Sequence, residues 1–260
     1  LLHHCKIRDS LMRSIFLVRK FARDTFCKMA LKQDIFKTLK IITDQDFFIE
    51  KINYVPYHDD LKFQTNTGLE FDAITVYIDL RNTPEQFNSP NKSAVLKAHL
   101  SYFHTISKIA SAMGGDIRNF NNGNLVIFFK NDSIKKLNNA IEAAFIMLYM
   151  LRNMKQESSP YPLDFGIGID VGTILCVKSH YNHEKDLVWL GNTIKRAITI
   201  SHLCSSPHYI GVSEAIYKLL RNETKYSLQD GKKTNFWVET DFSFHLENEK
   251  YYYMNKHDWK

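Results

Sequence analysis

The sequence lacks the patterns that mark membrane proteins, disulfide scaffolds and zinc sites. Its 260 residues contain only four cysteines, Cys5, Cys27, Cys176 and Cys204, and none stands in a CxxC or CxH spacing that can hold zinc. The longest early apolar run, Ile15 to Val18, is far shorter than the roughly 20 residues of a membrane span. We therefore expect a reduced, soluble, cytoplasmic protein with no transmembrane span.

The positive charge is distributed unevenly along the chain. Apolar residues make up 44%, charged residues 24% and aromatic residues 13%, which excludes disordered, collagen-like and coiled-coil proteins. Lys and Arg number 34 and Asp and Glu 28, a net charge of +6. Residues 1–40 hold ten basic and three acidic residues, so the remaining 220 hold 24 and 25. A basic arm on a neutral body is not a uniformly basic binding surface, and we expect no nucleic-acid partner.

Three regions follow from the pattern along the chain. Residues 1–53 form a basic arm, in which the absence of Gly and Pro between Asp9 and Thr43 predicts one or two helices. A docking or dimerising helix is one interpretation of this arm, and contact with a membrane surface or nucleic acid is another. Residues 54–70 mix Pro, Gly and charges and are predicted to be a linker. Residues 71–260 form the main domain.

The main domain alternates strand-like and helix-like segments. Their order is βαββαββ, followed by an αβα extension and a terminal hairpin, which predicts one α+β domain with an antiparallel sheet. The stretch from Leu163 to Val177 alternates in the manner of a hairpin, with its bend expected at Val171-Gly172.

A carboxylate ends the first strand of this domain. Asp79 follows the β-branched and aromatic run that begins at Phe71. Its oxygens are hard ligands suited to Mg²⁺ or Mn²⁺, and backbone N–H groups at the following turn can face phosphate. An acid at a strand end is nevertheless more often structural or solvated than a metal ligand.

Three segments together carry a more specific signal. They are Tyr77 to Asn82 (YIDLRN), Gly114 to Phe129 (GGDIRNFNNGNLVIFF), and Phe165 to Gly172 (FGIGIDVG) followed by Leu187 to Ile194 (LVWLGNTI). In order and spacing they resemble the catalytic domain of class III nucleotidyl cyclases over residues 71–220. The resemblance implies a ferredoxin-like βαββαβ palm.

Within that family, the sequence of these motifs most resembles that of the pyrimidine cyclases of bacterial Pycsar antiphage systems. The segments that carry this resemblance are Ile117 to Asn121, Asp186 to Gly191 and the aromatic, tyrosine-rich carboxyl-terminal tail. The resemblance implies conversion of UTP or CTP to a 3′,5′-cyclic monophosphate that activates a separate cyclic-nucleotide-responsive effector. It also implies Mn²⁺ or Mg²⁺ as cofactor and a homodimer with shared active sites.

The family's site residues transfer incompletely to this sequence. Asp79 matches the first metal position, whereas the second aspartate falls at Gly123, or at Asn122 if the hairpin shifts by one residue. The family's helix Asn and Arg fall at Lys195 and Thr199, so Lys195 and Arg196 are the candidate catalytic cations. The candidate nucleotide-binding residues are Phe71, Tyr77, Leu80, Arg81, Asn82, Arg118, Asn119 and Val188.

These departures keep a second interpretation open. Asn is a weak metal ligand and Gly is none, and the purine-selecting lysine and aspartate of adenylate cyclases fall at Asn119 and Val188. The alternative is a degenerate cyclase that serves as a nucleotide-binding or dimerising regulatory module.

Overall fold

The computed structural model describes residues 28–60, 62–63, 66–81, 91–121, 123–157, 163–178, 187–229, 232–244 and 247–255. The helices are α1 (28–44), α2 (Lys92–Ala112), α3 (Ile134–Glu157), α4 (Asn192–Leu203), α5 (Glu214–Leu219) and α6 (Asn222–Lys225). The strands are β1 (Phe48–Lys51), β2 (Thr67–Arg81), β3 (Gly115–Asn121), β4 (Asn124–Lys130), β5 (Asp164–Lys178), β6 (Leu187–Leu190), β7 (Ile210–Ser213), β8 (Tyr226–Gln229), β9 (Lys232–Asn235), β10 (Trp237–Phe244) and β11 (Glu247–Met254).

One mixed sheet organises the main domain. Its order is β10-β11-β7-β5-β2-β4-β3, with β1 also paired to β2 and β6 to β5. Strands β5 and β7 pair in parallel, whereas the pairs β10–β11, β11–β7, β5–β2, β2–β4, β4–β3 and β5–β6 are antiparallel. The succession β2-α2-β3-β4-α3-β5 is the βαββαβ unit that the sequence predicted, so the α+β, ferredoxin-like prediction is confirmed.

The two faces of the sheet bury different residues. On one face, alternate residues of β2 and β5, such as Ile78 and Ile167, pack with residues of α2 and α3 in the largest core cluster. On the other face, Phe71 and Phe128 pack with Val55 and Phe63, which precede β2. Thus part of the segment expected to be a linker covers the sheet.

Helix α4 lies very close to this second face. A Cβ atom added at Gly168 would lie 2.0 Å from the Ala197 carbonyl oxygen, and one at Gly166 would lie 2.0 Å from that of Ser201. Only glycine therefore allows this approach of helix to strand. The carboxyl end of α4 is thereby placed beside the end of β2, since Gly166 pairs with Asp79.

The predicted hairpin within residues 163–177 is wrong. Residues Asp164–Lys178 form a single strand that pairs with β2 from Arg81 to Gly68 without a turn. The alternating pattern was correct for a strand, but Gly172 faces α4, where a Cβ would meet Thr193 at 3.4 Å, rather than forming a bend. A glycine that makes room for a helix thus looks in the sequence like a glycine in a turn.

The amino-terminal region is a separate compact unit that ends at Phe48. Helix α1 agrees with the helical prediction for residues 28–43, and its apolar side chains are exposed, with Phe36 at 59%. The part of the predicted arm at residues 1–27 lies outside the described residues. Among the described helices, none combines the length and the apolar character needed to cross a membrane.

Candidate active site

Asp79 lies near the carboxyl end of β2 with a side chain that is 12% exposed. Its Oδ2 accepts a hydrogen bond from Arg81 Nε at 3.0 Å, and His202 Nε2 lies 3.9 Å from the same oxygen. Because the strand alternates, Asp79 and Arg81 project from the same face. The carboxylate therefore has a fixed orientation toward the side on which α4 packs.

Arg81 connects this carboxylate to the end of α4. Its Nη1 donates to Asp164 Oδ1 at 3.3 Å, and its Nη2 lies 2.9 Å from the Ser201 carbonyl oxygen and 2.7 Å from that of Cys204. The last carbonyls of a helix have no partner within the helix, and a cation there is favourable. The Arg81 side chain, expected near nucleotide, thus orients Asp79 and caps α4 in this structure.

The turn between β3 and β4 lies against the end of β2. Asn124 Oδ1 accepts from the Leu80 backbone N–H at 3.1 Å. Gly123 has a φ of +94°, and a Cβ there would lie 3.0 Å from Leu80 Cδ2. The turn that aligns with the family's second metal position is therefore adjacent to Asp79. The predicted metal residue Asn122 and the predicted nucleotide-binding residue Asn82 lie outside the described residues.

The residues around Asp79 fit one cation better than two. Mg²⁺ is commonly held by one or two protein carboxylates together with substrate phosphates. Asp79 supplies one carboxylate, whereas Gly123 supplies no side-chain ligand. Among the described residues, no group of three or more His, Cys, Asp and Glu side chains is arranged to hold a metal. The donor set suits a single cation that arrives with a triphosphate.

Tyr77 and His202 form the edge of the site. The Tyr77 and His202 rings make an edge-on contact with centroids 6.5 Å apart. Burial raises the pKa of Tyr77, and its hydrogen bond with Asn124 partly opposes that rise. Since Tyr77 stays protonated at neutral pH, it can offer a hydroxyl and an aromatic edge to a ligand.

Arg118, a candidate base-binding residue, is engaged by the segment before β2. Its Nε and Nη2 lie 3.3 and 3.4 Å from the carbonyl oxygens of Pro56 and Val55. Its guanidinium also stacks on the Tyr57 ring at 4.1 Å, while the Tyr57 hydroxyl donates to Asp116. These contacts attach the segment to β3, and a role in base recognition stays a prediction.

The remaining nucleotide-binding candidates occupy different environments. Phe71 is buried against Phe128 and Trp189 with centroids about 6 Å apart, so its ring belongs to the core. Asn119 pairs with Val126 in the β3–β4 ladder. Val188 is exposed on β6. The structure therefore does not bring all the predicted nucleotide-binding residues together within one chain.

The two candidate catalytic cations differ in their surroundings. Lys195 is exposed on α4. Arg196 binds Glu249 through Nε at 2.7 Å and Nη2 at 2.9 Å, and it stacks on the Phe244 ring at 4.6 Å. Arg196 is thus bound within its own chain, about 100° around the helix from Lys195.

Sequence reasoning missed three residues of this site. Asp164 was detectable only through the β2–β5 register, which pairs it with Arg81. His202 reaches Asp79 because glycines in β5 let α4 approach, and Asn124 does so because of the β3–β4 turn. Asn124 lies within a motif segment and the other two lie outside these segments, and the resemblance assigned a role to none of the three.

No protein-family model matches this chain. It is similar to a uridylate cyclase of Rhodovulum sp. (strain MB263), with 24% identity over 230 residues that cover 85% of this chain and 94% of the relative. It is also similar to a uridylate cyclase of Burkholderia cepacia, with 22% identity covering 76% of this chain and 88% of the relative.

Among solved structures, the chain is similar to the adenylyl cyclase CyaB from P. aeruginosa. The TM-score is 0.60 at 17% identity, and the match covers 74% of this chain and 97% of that one. At this identity the likeness establishes the fold.

Proposed function

We propose that this chain, which has the class III nucleotidyl cyclase fold, converts a pyrimidine nucleoside triphosphate, UTP or CTP, into its 3′,5′-cyclic monophosphate. One observation carries the proposal: relatives named uridylate cyclases match most of both chains. Asp79, an oriented carboxylate at a strand end, supports it as the candidate metal ligand. The product would be a second messenger in bacterial antiphage defence that acts on a separate effector.

The reaction needs an oriented carboxylate. The ribose 3′-oxygen attacks the α-phosphorus in line and forms a new O–P bond, the bond from that phosphorus to the α–β bridging oxygen breaks, and pyrophosphate and the hydroxyl proton are released. A Mg²⁺ or Mn²⁺ ion that enters with the triphosphate would offset the charge on the phosphates. In this scheme Asp79 would hold that ion, and Arg81 orients the carboxylate through its bond to Oδ2.

A second copy of the chain would complete the site. Lys195 is the cation on α4 that we assign to the partner's phosphates, because Arg196 is already bound to Glu249. A positive group placed where charge develops lowers the barrier for such a transfer. The exposed apolar residues Val188 and Leu190 of β6 are consistent with a surface that a second copy covers.

Turnover with defined nucleotides tests the proposal. Purified protein is incubated separately with UTP, CTP, ATP and GTP in Mn²⁺ or Mg²⁺, and cyclic products are identified by mass spectrometry. We expect cyclic UMP or cyclic CMP from the unaltered chain and about a hundredfold or more less product from Asp79→Asn. Asp72→Asn is the matched control, since Asp72 lies on the same strand and bonds Thr173 outside the site. Absence of every cyclic product would refute catalysis.

A second candidate function rests on the turn between β3 and β4. Gly123 replaces the carboxylate of the aligned metal position, and Asp79 is paired with Arg81. Both features suit a degenerate cyclase that binds nucleotide or dimerises as a regulatory module. That function predicts saturable UTP or CTP binding by calorimetry with no cyclic product, whereas turnover that depends on Asp79 contradicts it.

A further inference from the structure

Helix α1 has a wide apolar face that is exposed to solvent. Seven large apolar side chains of α1 are exposed, each by 47% or more. At about 100° per residue, six of the seven lie within an arc of about 160° around the helix axis. These six are Met29, Leu31, Ile35, Phe36, Leu39 and Ile42. A contiguous apolar face of this kind marks a surface that binds a partner or a membrane.

The charge around this face is positive. Helix α1 carries four lysines and two aspartates, a net charge of +2, and all six side chains are exposed. They are Lys28, Lys32, Lys37 and Lys40, with Asp34 and Asp44. The preceding residues 1–27 add six basic and two acidic residues to the sequence. This charge favours an anionic occupant for the exposed face.

Two of the lysines lie inside the apolar arc. Lys28 and Lys32 are each about 20° from Leu39 around the helix axis, close to the middle of the arc. Lys32 Nζ is 5.8 Å from the centre of the Phe36 ring, so the lysine side chain runs beside an apolar one. A lysine on an apolar face can keep its stem in apolar surroundings while its ammonium group reaches water or a lipid headgroup.

These two lysines favour a lipid surface over a second copy of α1. No aspartate of α1 lies within the arc, so a second α1 laid against the same face supplies no partner for Lys28 or Lys32. Burying an unpaired ammonium group is costly. A nucleic acid pairs with the lysines but leaves the apolar side chains in water. A bilayer of anionic lipids accommodates both the apolar side chains and the lysines.

We propose that α1 binds the surface of an anionic lipid bilayer, with its apolar face against the acyl chains and its lysines at the lipid phosphates. A basic amphipathic helix lies in the plane of such an interface. The basic residues that precede α1 in the sequence strengthen the attraction to anionic headgroups. This surface is separate from the proposed cyclase chemistry and does not depend on it.

Co-sedimentation of the full chain with lipid vesicles tests the proposal. One set of vesicles is an equimolar mixture of phosphatidylcholine and phosphatidylserine, and the other is phosphatidylcholine alone. We expect binding to the anionic vesicles that is about tenfold or more tighter than binding to the neutral ones. Added salt should weaken it, since salt screens the attraction between the lysines and the headgroups.

Paired variants separate α1 from the rest of the chain. Leu39→Glu places a charge in the middle of the apolar face, and it should weaken binding to anionic vesicles by about tenfold or more. Leu100→Glu is the matched control, because Leu100 is 68% exposed on α2 and should bind as the unaltered chain does. Neither change removes a buried side chain, and circular dichroism verifies that each variant is folded.

Charge reversal provides a second pair. Lys37→Glu combined with Lys40→Glu should weaken binding to anionic vesicles by about tenfold or more. The same two changes at Lys97 and Lys108, which are exposed on α2, should leave binding unchanged.

Three results would overturn the proposal. The first is that the unaltered chain binds neither kind of vesicle or binds both equally. The second is that Leu39→Glu dissociates a dimer in analytical ultracentrifugation while vesicle binding is unchanged, which assigns the face to a second copy. The third is that a DNA duplex binds as tightly as the anionic vesicles and Leu39→Glu weakens neither, which assigns the lysines to nucleic acid.

Discussion

Asp79 and Asp170 are two carboxylates on the same face of the sheet, both beside α4, yet their surroundings differ. Asp79 has an arginine Nε at 3.0 Å, whereas the Arg196 Nη1 atom is 3.8 Å from Asp170 Oδ2, an oxygen with no hydrogen-bond partner among the described residues. Arg81 bridges Asp79 to Asp164, while Arg196 is bound by Glu249. Asp79 is thus oriented by an arginine that hydrogen-bonds to it, whereas Asp170 lies beside an arginine that is bound to another carboxylate.

The largest expected effect on stability comes from removing the arginine beside Asp79. Arg81→Gln should lower the free energy of unfolding by about 3 kcal/mol, because it leaves Asp79 and the last carbonyls of α4 without their donor. Urea denaturation measures this change. Arg152→Gln, on the exposed side of α3, should change it by less than about 0.5 kcal/mol, and equal effects would show that Arg81 has no special role.

A smaller effect is expected at the arginine beside Asp170. Glu249→Gln weakens the two-point bond to Arg196 and should cost about 1 kcal/mol of unfolding free energy, since both side chains are partly exposed. If the two arginines differ as the structure indicates, this loss is smaller than that of Arg81→Gln. A larger loss in the same urea experiment would reverse the comparison.

The pH dependence of stability distinguishes Asp170 further. Burial raises its pKa above 3.8, against the opposing effects of Ser213, Thr193, the Val171 backbone and Arg196. The folded state therefore holds the proton more tightly than the unfolded state. The stability contributed by Asp170 is full below pH 3.8 and declines as the pH rises through the raised pKa.

Urea denaturation of the unaltered chain and Asp170→Asn at several pH values measures this decline. We expect the unaltered chain to lose stability relative to the variant as the pH increases above 3.8. A constant difference between the two proteins across that window would contradict the assignment of the raised pKa to Asp170.

The sequence predicted the strand and helix order well because β2, β4 and α2 have strong periodic patterns. It failed at Gly172, where a glycine that accommodates α4 looks the same as a glycine in a turn. Of the site, Asp79, Tyr77 and Arg81 were predictable, because they lie in one short segment at the end of a strand. Asp164 and His202 reach the site through strand register and helix docking, and the carboxylate that binds Arg196 beside Asp170 lies on β11, more than 70 residues later in the chain.

The most direct test of the proposed function is mass-spectrometric detection of cyclic UMP and cyclic CMP formed by the unaltered chain, Asp79→Asn and Asp72→Asn under identical conditions. We predict product from the unaltered chain and from Asp72→Asn, and a loss of about a hundredfold or more in Asp79→Asn. Product formed equally by all three proteins, or by none of them, would contradict the assignment of cyclase chemistry to Asp79.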